Sequence, residues 1–310
     1  MPIYLHEKDA VEFADMASVI AALRGALAAQ AGGKAVNVPR RRLKFGNRRL
    51  NLMAGGGNEP GNRFVVKCYG SSSHHMLLYG AEAGLLAIME AGALGAIRTG
   101  AATAVATQAM ARPGAGRVGV IGAGAQARTQ ILALHAIGSL REVAVFARDR
   151  VKRALFCKEI ESELGVPVHA AARAEDAVAG ADIVVTATTS ATPVLMHEWL
   201  SAGAHVNAMG ANAATRRELD PQIVLQASLI VTDDVAQAQL EAAEFIDLAA
   251  AGRFDWERIV PLHQMVAAPP RERAADAVTL FKSLGIGLED LAIAALVYER
   301  ALASGRCKPL

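Results

Sequence analysis

Apolar residues recur at three- and four-residue steps through Met16, Val19, Ile20, Leu23 and Leu27, and Gly32-Gly33 ends the run, which predicts a helix. The pattern then breaks into short runs. Residues 36–38, 43–45, 50–53 and 63–69 read as strands, so the part before residue 80 is expected to be antiparallel. Residues 54–61, rich in glycine, read as a flexible turn, and His74-His75 as part of a loop. Residues 81–111 are alanine-rich and read as mostly helical, with a break at Ile97-Arg98-Thr99-Gly100. A turn at 112–116 makes a natural boundary. Beyond it, strands at 117–121, 143–146, 183–187, 205–209 and 229–232 alternate with helical segments, one of them over about 152–164. A last helix, 288–303, carries Leu291, Ala295 and Tyr298 on one face. Alternating strands and helices predict an α/β fold: a Rossmann-type, doubly wound parallel sheet over 113–285. The remainder, 1–112 with about 286–310, is expected to form an α+β domain for substrate binding and dimerisation.

Composition narrows the function. With 310 residues, 53% hydrophobic and 20% charged, the chain is long enough for two domains and too apolar for disorder. The mean hydropathy of +0.26 reflects alanine. No run reaches the roughly 18 apolar residues of a spanning helix. The first residues, Met1 to Asp9, lack a basic-then-apolar leader pattern, and Cys68, Cys157 and Cys307 form neither a disulfide framework nor a zinc spacing. A reducing cytoplasm is the expected compartment, with no membrane partner. A net charge of +2 implies no polyanionic partner. The basic stretch 34–49 lacks aromatic residues other than Phe45, so nucleic acid is not expected either. H-E-x-x-H, G-x-S-x-G and a P-loop lysine are absent, and adjacent histidines cannot share a strand face, so no metal site is expected. Asp233-Asp234 reads as a strand end or helix cap.

The sharpest motif is Gly122-Ala123-Gly124-Ala125-Gln126-Ala127, between a strand and a helix. It is the G-x-G-x-x-A form of the dinucleotide fingerprint. Gly122 makes the tight turn, Gly124 lets a pyrophosphate approach the backbone, and Ala127 lets helix and strand pack closely. The N–H groups of the helix start, at Ala125 and Gln126, then face the phosphates. The second strand ends at Ala147-Arg148 without the acid that would bind a ribose 2′-hydroxyl. Arg148, Arg150 and Arg153 suit a 2′-phosphate, which favours NADP(H). Asp149, one residue later, keeps NAD(H) open.

Four stretches together resemble the ornithine cyclodeaminase/mu-crystallin family: Arg98-Thr99-Gly100-Ala101-Ala102, the fingerprint with its unusual Gln126, Val206-Asn207-Ala208-Met209-Gly210-Ala211, and Phe281-Lys282-Ser283-Leu284-Gly285. The resemblance implies a homodimer and an NAD(P)-dependent oxidoreductase acting on a small amino- or imino-acid substrate. It puts the family's P-x-R motif on Pro39-Arg40-Arg41, which makes Arg41 the ligand of the substrate carboxylate, with Arg40 or Arg42 as register alternatives. Lys67 becomes a carboxylate contact and proton donor, although by pattern alone it reads equally as the exposed side of an edge strand. Arg98 becomes a second carboxylate ligand and Thr99 a phosphate contact. Thr186, Met209 and Gly210, at later strand ends, complete the expected cofactor set.

Where the cyclodeaminases carry two carboxylates for the distal ammonium of ornithine, this chain has Asn51 and Asn212. An amide neither neutralises an ammonium nor acts as a base near neutral pH. Asn212 can still hold a water or the imine nitrogen, and each asparagine can also serve as a turn former. Reduction of a cyclic ketimine, such as a pyrroline- or piperideine-2-carboxylate, is therefore the expected reaction. A true cyclodeaminase, which would need another acid such as Glu59, an amino-acid dehydrogenase and a non-catalytic NADP-dependent binder are the alternatives.

Overall fold

The computed structural model describes residues 1–58, 61–138, 140–269, 273–306 and 308–310, so Glu59 and Cys307 lie outside the described residues. The chain begins with β1 (Ile3–Leu5), α1 (Glu7–Glu12), α2 (Met16–Ala31), β2 (Ala35–Phe45), β3 (Arg48–Gly57), β4 (Arg63–Tyr69), β5 (His74–Gly80), β6 (Gly84–Glu90) and α3 (Gly92–Met110). There follow β7 (Arg117–Ile121), α4 (Ala125–Ala136), β8 (Glu142–Phe146), α5 (Arg150–Leu164), β9 (Val168–Ala170), α6 (Ala174–Val178), β10 (Ile183–Thr186) and β11 (His205–Ala208). Then come α7 (Pro221–Gln226), β12 (Leu229–Thr232), α8 (Val235–Glu241), α9 (Ala243–Ala250), β13 (Ile259–Pro261), α10 (Leu262–Ala267), β14 (Thr279–Lys282), α11 (Gly287–Ser304) and β15 (Lys308–Pro309).

Two compact units emerge, residues 1–102 with 285–310 and residues 103–284. The division falls inside α3, earlier than the turn at 112–116. The last turns of α3 belong to the second unit: Thr107 accepts from Asn207 at 3.1 Å, and Arg273 caps the helix by donating to the Met110 carbonyl.

The first unit is a seven-stranded sheet in the order β15-β1-β6-β5-β4-β3-β2, antiparallel from β2 to β6. Four local expectations fail here. His74 and His75 lie in β5 rather than in a loop, and β6 occupies part of the expected helix. Arg98, Thr99 and Gly100 continue α3 without interruption. Glycine is tolerated in a helix whose packing outweighs its entropic cost of about 1 kcal/mol. Ala54 to Gly57 form strand rather than a flexible turn. Their small size serves packing: a Cβ on Gly55 would stand 2.7 Å from Gly287 and Leu288, so β3 and the start of α11 pack backbone to backbone.

The second unit is an eight-stranded sheet in the order β13-β12-β14-β11-β10-β7-β8-β9, with every pairing parallel. Apolar cores cover both faces, one around Val120, Val145 and Ile131, the other around Val184, Val206 and Phe245. The order reverses beside β7, whose neighbours are β8 and β10, and the C-terminal ends of these strands make the crevice of a doubly wound fold. Asp234 caps α8, accepting from the Gln237 N–H at 2.7 Å. Among the described residues no helix is long and apolar enough to cross a membrane.

Candidate active site

In the second unit, Gly122 directly follows β7 with φ +129°, a conformation that favours glycine, and a Cβ there would meet the Ala187 carbonyl at 2.5 Å. Gly124 caps α4, and a Cβ built on it meets nothing within 4 Å. The fold does not need that glycine, whereas a phosphate approaching the backbone does. Ala127 is fully buried against the sheet, and Ala125 and Gln126 open the helix, whose first N–H groups suit an anion. A cavity of about 1060 Å³ runs along these strand ends, lined by Gly122, Ala123, Arg148, Lys152, Thr188 and Thr189 among others. Its size and glycine-lined mouth fit a dinucleotide.

The basic cluster after β8 divides. Arg148, Asp149 and Lys152 all line the cavity. Arg153 turns inward, donating to the Ala147 carbonyl at 2.8 Å and lying over the Phe146 ring. Asp149 caps α5, its carboxylate accepting from the N–H groups of Val151 and Lys152 at 3.0 Å. Thr186 does not line the cavity. It is fully buried and donates to Glu218 at 3.1 Å, on a strand whose residues are all buried; Thr188 and Thr189 line the wall instead. Met209 is buried against the Thr103 hydroxyl, and the Gly210 N–H donates to Glu218 at 2.7 Å. Asn212 is half-buried just beyond, in the same unit.

In the first unit, Lys67 of β4, Arg98 of α3 and Arg40 of β2 come together with two carboxylates, Glu289 and Asp290, from the first turn of α11. All five are buried. One oxygen of Asp290 accepts from Lys67 Nζ and from Arg98 Nε, each at 3.0 Å. Arg98 also pairs with Glu289, and Arg40 donates to the Gly285 carbonyl at 2.8 Å. Gly95 on α3 makes room, since a Cβ there would stand 2.7 Å from Lys67 Nζ. Burial lowers the Lys67 pKa to about 8, with Asp290 opposing the shift and Arg98 and Arg40 adding to it. Such a lysine carries a proton that it can give up near neutral pH.

Arg41 is not in this cluster. Residues 35 and 37 of β2 face inward, so simple alternation would also turn Arg41 inward. A bulge between Val38 and Arg41 shifts the register by one residue, which buries Arg40 and exposes Arg41. The inward place therefore belongs to Arg40, one of the register alternatives. Lys67 is 4% exposed, which removes the solvent-facing alternative. Asn51 is buried on β3, and its Nδ2 donates to the Tyr69 carbonyl at 3.1 Å. Thr99 donates back to the Gly95 carbonyl at 2.9 Å within its own helix. Sequence reading missed Glu289 and Asp290. Two adjacent acids in an otherwise apolar stretch were the available signal, but acids in a first helical turn usually serve the helix dipole.

A family model described as ornithine cyclodeaminase/mu-crystallin matches residues 4–305. The chain belongs to that family. The rat ketimine reductase mu-crystallin is 33% identical over 225 residues, 72% of this chain and 68% of its own length. The family likeness extends to the whole fold. The structure of Thermococcus litoralis Δ1-pyrroline-2-carboxylate reductase in complex with NADH and L-proline is 28% identical, with a TM-score of 0.93 over 99% of this chain and all of that one. An archaeal alanine dehydrogenase dimer with bound NAD has a TM-score of 0.92 at 27% identity, over 100% of this chain and 98% of its own. The match spans only 59% and 55% of the length of the first two curated relatives.

Proposed function

We propose that this protein is an NAD(P)H-dependent reductase of imines of α-keto acids, with a cyclic ketimine such as a pyrroline- or piperideine-2-carboxylate as substrate. The observation that carries the proposal is the buried cluster of Arg40, Lys67 and Arg98, in a chain that also has a dinucleotide fingerprint at a doubly wound crevice. Two guanidinium groups and a lysine gathered in one buried cluster suit the carboxylate of a substrate. The names of the rat and Thermococcus relatives point to the same chemistry.

Gly122, Gly124 and the start of α4 would hold the pyrophosphate of a dinucleotide, which when bound would supply the hydride for the imine carbon. The chain's own residues do the rest. Arg40 and Arg98 hold and orient the carboxylate, which fixes the imine carbon. Lys67, or a water held near Asn212, supplies the proton that the nitrogen takes as the C=N π bond breaks. The product is the amino acid. Asn51, a buried amide, offers no charge to a distal ammonium. A spectrophotometric screen of cyclic imines, keto acids with amines, and ornithine tests the assignment. The expected outcome is NAD(P)H oxidation with a cyclic imine and no ammonia from ornithine with NAD(P)⁺. Robust ammonia release from ornithine would overturn the substrate class.

NADP(H) is the preferred cofactor in this proposal, supported by Arg148 and Lys152 on the cavity wall and by the engagement of Asp149, which lies on the same wall, as a helix cap. Fluorescence titration is expected to give tighter binding of NADPH than of NADH. Equal or tighter NADH binding would mean that Asp149 reaches the ribose.

The working form is proposed to be a homodimer formed through the first unit. Val36, Val38, Leu43, Phe45 and Phe64 are exposed on the face of the sheet opposite to its core, an apolar surface that suits a second copy. Light scattering at micromolar concentration should report a dimer; a monomer would remove the assignment.

A further inference from the structure

Glu218 takes no part in the chemistry above, yet it is fully buried and holds the loops at two strand ends. Its carboxylate accepts from the Thr186 hydroxyl at 3.1 Å and from the N–H groups of Thr188 at 2.6 Å, Gly210 at 2.7 Å and Ala211 at 3.2 Å. Its carbonyl accepts from the N–H groups of Val194 at 2.8 Å and Leu195 at 3.0 Å. The loop from Thr188 to Val194, which lines the cofactor cavity, is thus tied at both ends to one residue. The loop after β11 is tied to the same carboxylate.

Glu218 is itself anchored. Its N–H donates at 3.0 Å to Glu244, whose same oxygen meets Lys282 Nζ at 3.1 Å in the core. Gly210 must be small here, because a Cβ would run into the Thr188 backbone first and would also stand 2.5 Å from Glu218 Oε1. Burying a carboxylate costs several kcal/mol of desolvation unless charge-assisted hydrogen bonds offset it. Four donors from two separate segments do so here, which ties both loops to one carboxylate. The position of those loops gives the rigidity a purpose. In a doubly wound sheet the two halves of a dinucleotide lie on either side of the first strand. Arg148 follows β8 on one side of β7, and the loops that Glu218 holds follow β10 and β11 on the other.

We propose that Glu218 is a positioning residue for the nicotinamide half of the cofactor, fixing the loops after β10 and β11 as a preformed wall of its pocket. The role rests on the nucleotide site described under the proposed function. It does not depend on which imine is reduced.

The test is binding rather than turnover. Glu218→Gln keeps the shape but turns an NH₂ group toward backbone N–H donors. Titration of the purified variant with NADPH and NADH, and with the adenine-half fragments 2′,5′-ADP and ADP, separates the two halves. The dissociation constants of the dinucleotides are expected to rise about tenfold or more, which corresponds to about 1.4 kcal/mol. Those of the fragments should stay within about twofold. Thr186→Val removes one donor without burying a new polar group, and should shift the dinucleotides about threefold in the same direction while leaving the fragments alone. If Glu218→Gln does not fold, that pattern in Thr186→Val decides. Equal weakening of dinucleotides and fragments would mean general damage and overturn the role, as would no change in either. A wild-type protein that binds neither dinucleotide would overturn the nucleotide site together with this role.

Discussion

Lys67→Ala is expected to lower the turnover of imine reduction by about 10²–10⁴-fold, the usual contribution of a general acid. It should also remove the alkaline limb of the pH profile. The sign follows from the direction of the shift. Burial lowers the Lys67 pKa to about 8, despite the opposing carboxylate of Asp290. The ammonium that donates the proton in reduction is present below that pH and is lost above it, so the reduction rate falls as pH rises through about 8. Amine oxidation needs the neutral lysine and should rise through the same range. Measuring kcat in both directions from pH 6 to 10 checks both limbs. A loss confined to KM, with the limb intact, would leave Lys67 as a carboxylate contact only. Arg40→Ala and Arg98→Ala should each cost about 1.5–3 kcal/mol in kcat/KM, the range for a hydrogen bond to a charged group. Arg41→Ala, at an exposed position, should cost little.

Gly124→Val should abolish measurable binding of both NADPH and NADH without unfolding the protein. Gly124 has extended backbone, and an added Cβ meets no protein atom within 4 Å, so the fold has room for the side chain. The space it fills is the approach of the pyrophosphate. Gly122→Val is the contrasting control. Gly122 has φ +129° and the Ala187 carbonyl 2.5 Å from the added Cβ, so that variant should lose stability as well as binding. Fluorescence titration and thermal unfolding of the two variants separate the effects. A Gly124→Val protein that binds like wild type would mean that no phosphate comes close to that backbone.

Sequence alone determined the elements whose signals are local. The fingerprint at 122–127, the buried apolar strands after it and the long helices 16–31 and 287–304 follow from periodicity, glycine placement and caps, each set by residues within a few positions. The parallel sheet followed from alternation of strands and helices. Lys67 and Arg98 could be singled out by resemblance, because their motifs are contiguous.

Tertiary structure decided what depends on contacts between distant segments. The choice of Arg40 over Arg41 hangs on a bulge, and one extra residue in β2 inverts the facing of every residue after it. Ala54 to Gly57 have the composition of a turn, and they are strand because Gly287, over 200 residues away in the chain, packs against them. Glu289 and Asp290 read as ordinary first-turn acids until Lys67 and Arg98 are brought beside them. Thr186 sits at a strand end like a cofactor ligand, yet Glu218 draws its hydroxyl into the core. In each case short-range pattern fixes which backbone conformation is favoured. Burial and hydrogen bonding across long sequence separations then fix which side chain occupies the interior, where an unpaired polar group costs too much to be left to chance.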